Sequence, residues 1–153
     1  DIIIIGGGAA GFFAAINIAD FNPKLKIVIL ERGSKVLSKV RVSGGGRCNV
    51  THAEFDPKEL TSNYPRGQKE LLGPFHKFMT GDTVQWFIER GIELKIEEDG
   101  RMFPEDLGAK EILTRMIKKL EKAVIVLELK SPVLSLVLSE NRVIGLKLEM
   151  ESM

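Results

Sequence analysis

The chain has 153 residues, 44% hydrophobic and 28% charged, with 22 basic side chains against 21 acidic ones and a formal net charge of +1. That length and composition allow one globular domain with its own core and exclude a disordered segment. Balanced charge gives no case for a dedicated nucleic-acid binder or a polybasic membrane anchor, both of which rely on concentrated positive charge. A single cysteine excludes an internal disulfide framework and an all-cysteine zinc site, and makes the cytoplasm the default compartment. Every apolar run is shorter than the roughly 20 residues that span a bilayer, so no membrane partner is expected. No signal-peptide pattern opens the chain. Since it starts at Asp1, directly on a strand, trimming upstream is expected.

Ile2 to Ile5 is a β-branched run bounded by glycines, which predicts a strand buried on both faces at the centre of a parallel sheet. Ala9 to Asp20 carries Ala10, Phe13, Ala14 and Ile16 at helical spacing, and Asn22-Pro23 supplies a stop. Lys26 to Leu30 predicts a second strand and closes a βαβ unit. Residues 34 to 68 show little periodicity and read as a surface excursion holding a second glycine cluster. Asp82, with Gln85 three residues on, resembles a capping box before a helix over 83–90 that ends at Gly91. Ile92 to Ile96 and Arg101 to Pro104 read as strands about a turn at Glu97-Glu98-Asp99-Gly100. From Ala109 to Lys122, Ile112, Leu113, Met116, Ile117 and Leu120 form one helical stripe. Val124 to Leu129, Val133 to Leu138 and Val143 to Glu149 then predict a β-meander, and residues 1–153 read as a single domain.

Gly6-Gly7-Gly8-Ala9-Ala10-Gly11 satisfies Gly-x-Gly-x-x-Gly, follows a strand, opens a helix, and has Glu31 at the end of the next strand. Gly6 would permit the sharp turn, Gly8 would let backbone approach a pyrophosphate, and Gly11 would let helix pack on strand. Amides at the helix N-terminus would hold the diphosphate, while Glu31 would accept from ribose hydroxyls and disfavour a 2′-phosphate. The competing reading is an ordinary tight turn. These residues do not choose between nicotinamide and flavin dinucleotides. Ser43-Gly44-Gly45-Gly46-Arg47-Cys48-Asn49 adds exposed amides and polar side chains suited to a phosphate or a polarised ring, against the reading of a plain surface loop.

Taken with Gly100-Arg101-Met102-Phe103-Pro104, these two glycine strings resemble the HI0933-like or BaiN-like family of bacterial NAD(P)/FAD-dependent oxidoreductases, over residues 1 to about 104. The Ser-Gly-Gly-Gly-Arg-Cys-Asn string carries most of the specificity. The resemblance implies an α/β, Rossmann-like FAD-binding domain of glutathione-reductase type. It implies FAD bound by Gly6, Gly8, Ala9, Ala10 and Gly11 at the pyrophosphate, with Glu31 and Arg32 at the adenosine ribose. Ser43, Gly44, Gly45, Gly46, Arg47, Cys48 and Asn49 would run along the cofactor toward the flavin, and Arg41 or Lys39 would touch the diphosphate region. Members of the family carry an inserted domain and late glycine-rich segments that complete the flavin site. Neither occurs here, so the chain is expected to be a fragment that need not be active alone.

The function expected is FAD-dependent hydride transfer on a small-molecule substrate, with NAD(P)H as electron donor. Alternatives are an NAD-dependent Rossmann dehydrogenase and a non-catalytic nucleotide-binding module. No side chain stands out as catalytic acid or base. Cys48 lacks a Cys-x-x-Cys partner and reads as a packed thiol rather than a redox relay. His52 and His76 are not spaced as a metal pair, and no metal is expected. Trp86 and Phe87 read as core, Tyr64-Pro65-Arg66-Gly67 as a turn, and Lys118-Lys119 as a solvated helix face.

Overall fold

A computed structural model describes residues 1–105 and 108–149. In chain order it contains β1 (Ile2–Ile5), α1 (Ala9–Phe21), β2 (Ile27–Leu30), α2 (Ser38–Val42), a 3-10 turn (Ser43–Gly46) and β3 (Thr51–His52). There follow α3 (Pro57–Ser62), α4 (Gln68–Phe75), α5 (Thr80–Ile88), β4 (Leu94–Ile96), β5 (Arg101–Pro104) and α6 (Ala109–Lys122). The last elements are β6 (Val126–Glu128), β7 (Val133–Ser139) and β8 (Arg142–Leu148). Two compact units divide the chain: Asp1–Val40 together with the chain from Leu113 onward, and Arg41–Ile112. Among the described residues no helix is long and apolar enough to cross a membrane.

The first unit is built on a parallel sheet of order β1-β2-β6, with Ile2 opposite Ile27 and Val28 opposite Val126. The βαβ unit read from the sequence is present. The position of β1 is different from the one expected: it pairs with β2 alone and lies at the sheet edge among the described residues, with Ile3 54% and Ile5 56% exposed. Four consecutive isoleucines fit any strand with apolar neighbours on both faces, so the run could not say which strand was central. In α1 the buried face is Phe12, Ala15, Ile16 and Ala19; of the predicted stripe Ala10, Phe13, Ala14 and Ile16, Ile16 is on that face and the other three are not. Apolar residues occur around most of that helix, so periodicity did not select a face. Burying Phe12 and Ile16 completely contributes about 1.5–3 kcal/mol each.

The stripe of α6 was legible. Leu113, Met116 and Leu120 are buried in this unit. Lys119 is not a purely solvated charge, because its Nζ lies 2.8 Å from Asp20 Oδ1 at the end of α1. The expected meander is a hairpin: β7 and β8 pair antiparallel, while β6 joins the parallel sheet beside β2. Glu140 and Asn141 both have positive φ at its tip, the conformation that a two-residue turn needs to match strand twist.

In the second unit β3, β5 and β4 form an antiparallel sheet in that order, with Lys95 opposite Phe103 and Thr51 opposite Met102. The excursion expected over 34–68 is more ordered than its weak periodicity suggested, since α2, the 3-10 turn, β3 and α3 fall within it. Asp56-Pro57 was the missed signal. Asp56 Oδ1 accepts from the N–H groups of Lys58 and Glu59 at 2.8 and 2.9 Å, and Pro57 occupies the first turn of α3. Helix α5 begins earlier than expected, at Thr80, and Asp82 lies inside it: its Oδ2 accepts from the Met79 N–H at 2.9 Å. Trp86 is buried under the Arg90 guanidinium, and residues 65–67 form the expected turn.

Candidate functional site

The three motif glycines are required for three different reasons. Gly6 has φ +103°, a backbone that L side chains rarely adopt, and so makes the turn out of β1. A Cβ on Gly11 would stand 2.1 Å from the Gly6 carbonyl oxygen, so Gly11 is needed for α1 to lie against the turn. Gly8 has an ordinary extended backbone, and a Cβ there would meet nothing within 4 Å. The protein's own packing does not require glycine at position 8. The open space in front of it is a cradle that a side chain would fill, which fits a ligand approaching the main chain.

Gly8 is also the N-cap of α1, and no side chain caps the helix or places an acid in its first turn. The first-turn amides are therefore left for water or an anion, at the positive end of the helix dipole. Ala9 and Ala10 are exposed beside them. At the end of β2, both oxygens of Glu31 are engaged by main chain. Oε2 accepts from Gly7 N–H at 2.8 Å and Oε1 from Gly33 N–H at 2.7 Å. Each carboxylate oxygen keeps a further lone pair. Behind Glu31, its carbonyl accepts from Ser131 N–H at 2.9 Å.

A cleft of about 340 Å³ opens over these groups, floored by Gly7, Gly8 and Ala9 and walled by Glu31, Arg32, Lys35 and Lys39. The size suits part of a nucleotide. Sequence reasoning placed Gly8, Ala9, Glu31, Arg32 and Lys39 here and missed Gly7, Lys35, Leu37, Ser38 and Val40. A Cβ on Gly7 would come within 2.7 Å of Val36 Cγ1 and 3.2 Å of Glu31 Oε2, so glycine is needed here chiefly because of Val36 and secondarily because of Glu31. Leu37, buried and with φ +55°, donates its N–H to Gly7 O at 2.8 Å. Nothing local marks Leu37, because its role depends on a main-chain bond to a distant turn.

Arg41 lies in α2 and, with Ser43 to Asn49, belongs to the second unit. There Gly44, Gly45 and Gly46 have φ of +56°, +69° and +88°, and Cys48 has +65°. A Cβ on Gly44 would be 2.5 Å from Phe103 Cε1 and 3.0 Å from the Asn49 nitrogen. Arg47 stacks over Phe103 and pairs with Glu97, while Asn49 is exposed. Cys48 is buried, as expected of a packed thiol, and its N–H donates to Ser43 O at 3.0 Å. Burial pushes its thiol up from the ordinary value, partly offset by a hydrogen bond with Ser43.

Over residues 1–153 the chain matches the family described as HI0933-like protein Rossmann domain. It is 30% identical over 153 residues to the ribosomal RNA dihydrouridine synthase of Escherichia coli (strain K12), covering 100% of this chain and 36% of that protein. It is 29% identical over 119 residues to the 3-dehydro-bile acid delta(4,6)-reductase of Clostridium scindens, covering 78% of this chain and 28% of that one. Its fold is similar to that of a flavocytochrome c3 fumarate reductase, with a TM-score of 0.69 and 18% identity over 97% of this chain and 30% of the other. The chain spans 36% and 28% of the lengths of the two curated relatives. The α/β Rossmann-type fold class expected from the sequence is the one found. The chain belongs to the HI0933-like family, whose Rossmann domain it matches from end to end.

Proposed function

We propose that this chain is the FAD-binding part of an oxidoreductase that carries out flavin-mediated hydride transfer, with NAD(P)H as electron donor. The observation that carries the reading is the empty space before Gly8, beside uncapped α1 amides and a Glu31 carboxylate already oriented by two main-chain donors. In this reading Gly8 and the α1 amides take the diphosphate and Glu31 accepts from the adenosine ribose hydroxyls. Lys35 and Lys39 add positive charge at the cleft wall. The Ser43 to Asn49 loop of the second unit, by itself, offers main-chain donors from its left-handed turns. FAD, when bound, supplies the hydride-accepting and hydride-donating ring, and the chain supplies binding and orientation.

Family membership supports FAD over NAD alone, as does likeness to a reductase and to a flavocytochrome fold. The substrate is proposed to be a small molecule, consistent with balanced charge. The named relatives include a ribosomal RNA enzyme and a bile acid reductase, so donor oxidation is assayed with both substrate classes. The first experiment is a visible absorption spectrum after reconstitution with FAD and removal of excess. A retained flavin band supports the reading. A nicotinamide nucleotide bound with no flavin retained would overturn it in favour of a dehydrogenase, and retention of neither would remove both dinucleotide readings of the cleft.

A further inference from the structure

The Arg47 side chain is engaged with its own unit. Its guanidinium carbon lies 4.1 Å from the centroid of the Phe103 ring, its Nε donates to Gly44 O at 3.3 Å, and its Nη1 pairs with Glu97. Phe103 is buried at 3% exposure, held on β5 opposite Lys95, and its Cε1 occupies the place where a Gly44 side chain would stand. Glu97 is fixed at the other end of the same hairpin by its N–H to Arg101 O at 2.9 Å. One arginine thus joins the glycine loop, the aromatic beneath it and the hairpin turn.

The loop needs such a restraint. Three successive glycines and Cys48 all have left-handed backbone, a conformation that glycine populates among many others and that costs a residue with a Cβ. Its main-chain ties include Cys48 N–H to Ser43 O at 3.0 Å and a long Arg47 N–H to Gly44 O at 3.4 Å. The geometry points to Arg47 as a positioning residue: with Phe103 and Glu97 it clamps the Ser43 to Asn49 loop in its ligand-ready shape and does not itself contact the cofactor. This rests on the FAD reading for its purpose and on the second unit's own contacts for its mechanism. A planar guanidinium can stack and fork at once, which an ammonium cannot, so lysine is no substitute.

The sole cysteine gives a readout that needs no flavin. Cys48 is 5% exposed within the loop, so a thiol reagent labels it only when the loop opens. Labelling rates are compared for the apo chain and for Arg47→Ala, Arg47→Lys, Glu97→Gln, Phe103→Leu and the Arg47→Ala/Phe103→Leu pair, with FAD affinity measured on each. Arg47→Ala and Arg47→Lys should each speed labelling about tenfold, the size of a lost stacking and pairing contact. Glu97→Gln should give a smaller rise. The double variant should be little faster than the worse single one, and FAD affinity should fall in step with labelling. Weakened FAD binding with Cys48 labelling unchanged would mean that Arg47 touches the cofactor directly and would overturn the proposal, as would additive effects or no effect on labelling. Glu97 is partly exposed, so Glu97→Gln still decides the matter should a Phe103 variant fail to fold. Failure of every form to hold FAD removes the FAD reading but leaves the labelling result to judge the clamp.

Discussion

Glu31 and Gly7 are 24 residues apart in sequence, and the Glu31 carboxylate accepts the Gly7 main-chain N–H at 2.8 Å. The bond ties the glycine turn to the end of β2 and fixes the carboxylate before any ligand arrives. Glu31→Ala should therefore weaken FAD binding by about ten- to a hundredfold, the range for losing hydrogen bonds to a charged group. Once the site is saturated, flavin absorbance should be unchanged. Equilibrium dialysis with a spectrum at saturation checks both, and an altered flavin band at full occupancy would contradict the ribose role. The same variant should melt at lower temperature, because the Gly7 and Gly33 amides lose their acceptor.

Gly8 and Gly11 should separate binding from folding. Gly8→Val places a branched side chain in space that the protein leaves open, so dinucleotide binding should be abolished with the fold retained and only the modest loss of thermal stability expected of a poorer N-cap. Gly11→Ala drives a methyl toward the Gly6 carbonyl and should lower the melting temperature sharply. Thermal melts and FAD titration of both variants test the assignment. Unchanged affinity in Gly8→Val would sink the pyrophosphate site.

Much of the βαβ unit and its glycine turn was legible in the sequence because their demands are local. A glycine spacing, a strand before it, a helix after it and an acid at the next strand end are all visible in the first 31 residues. Gly7 and Leu37 were hidden, since one is fixed by Val36 and Glu31 far along the chain and the other acts through its main chain. The Ser43 to Asn49 string could be recognised, but its partner Phe103 could not be paired with it. That contact depends on how β5 is registered against its neighbours, which short strands do not announce.

The buried face of α1 offers a direct check on packing. Phe12 is fully buried and Phe13 only half-buried, although both lie in the same apolar run. Phe12→Ala should cost about 3–5 kcal/mol, the range for truncating a core aromatic, and Phe13→Ala distinctly less. Urea unfolding of the two variants gives the comparison. Equal costs would return the helix to the face that its periodicity suggested.

Cys48 makes stability depend on pH in a stated direction. Its folded thiol is pushed up by burial, so the folded chain holds the proton where the unfolded chain releases it. The contribution is complete below the unfolded thiol value of about 8.5 and is lost as pH rises through the folded value. Unfolding free energy should fall across that window, and Cys48→Ala should remove its part of the slope. Urea melts of both proteins at a series of alkaline pH values measure the difference.

Strand β1 hydrogen-bonds along one edge, with Ile2 and Gly6 donating to Lys26 and Leu30, so the alternation of a strand turns the amides of Ile3 and Ile5 to the other edge. Exposed isoleucines flank that row. An open edge of this kind is a template on which further strands add, whether from elsewhere in a molecule or from another copy. Self-association that grows with protein concentration is the expected consequence, so FAD titrations should be run across a dilution series, and an affinity that does not change with chain concentration would show the edge to be inert.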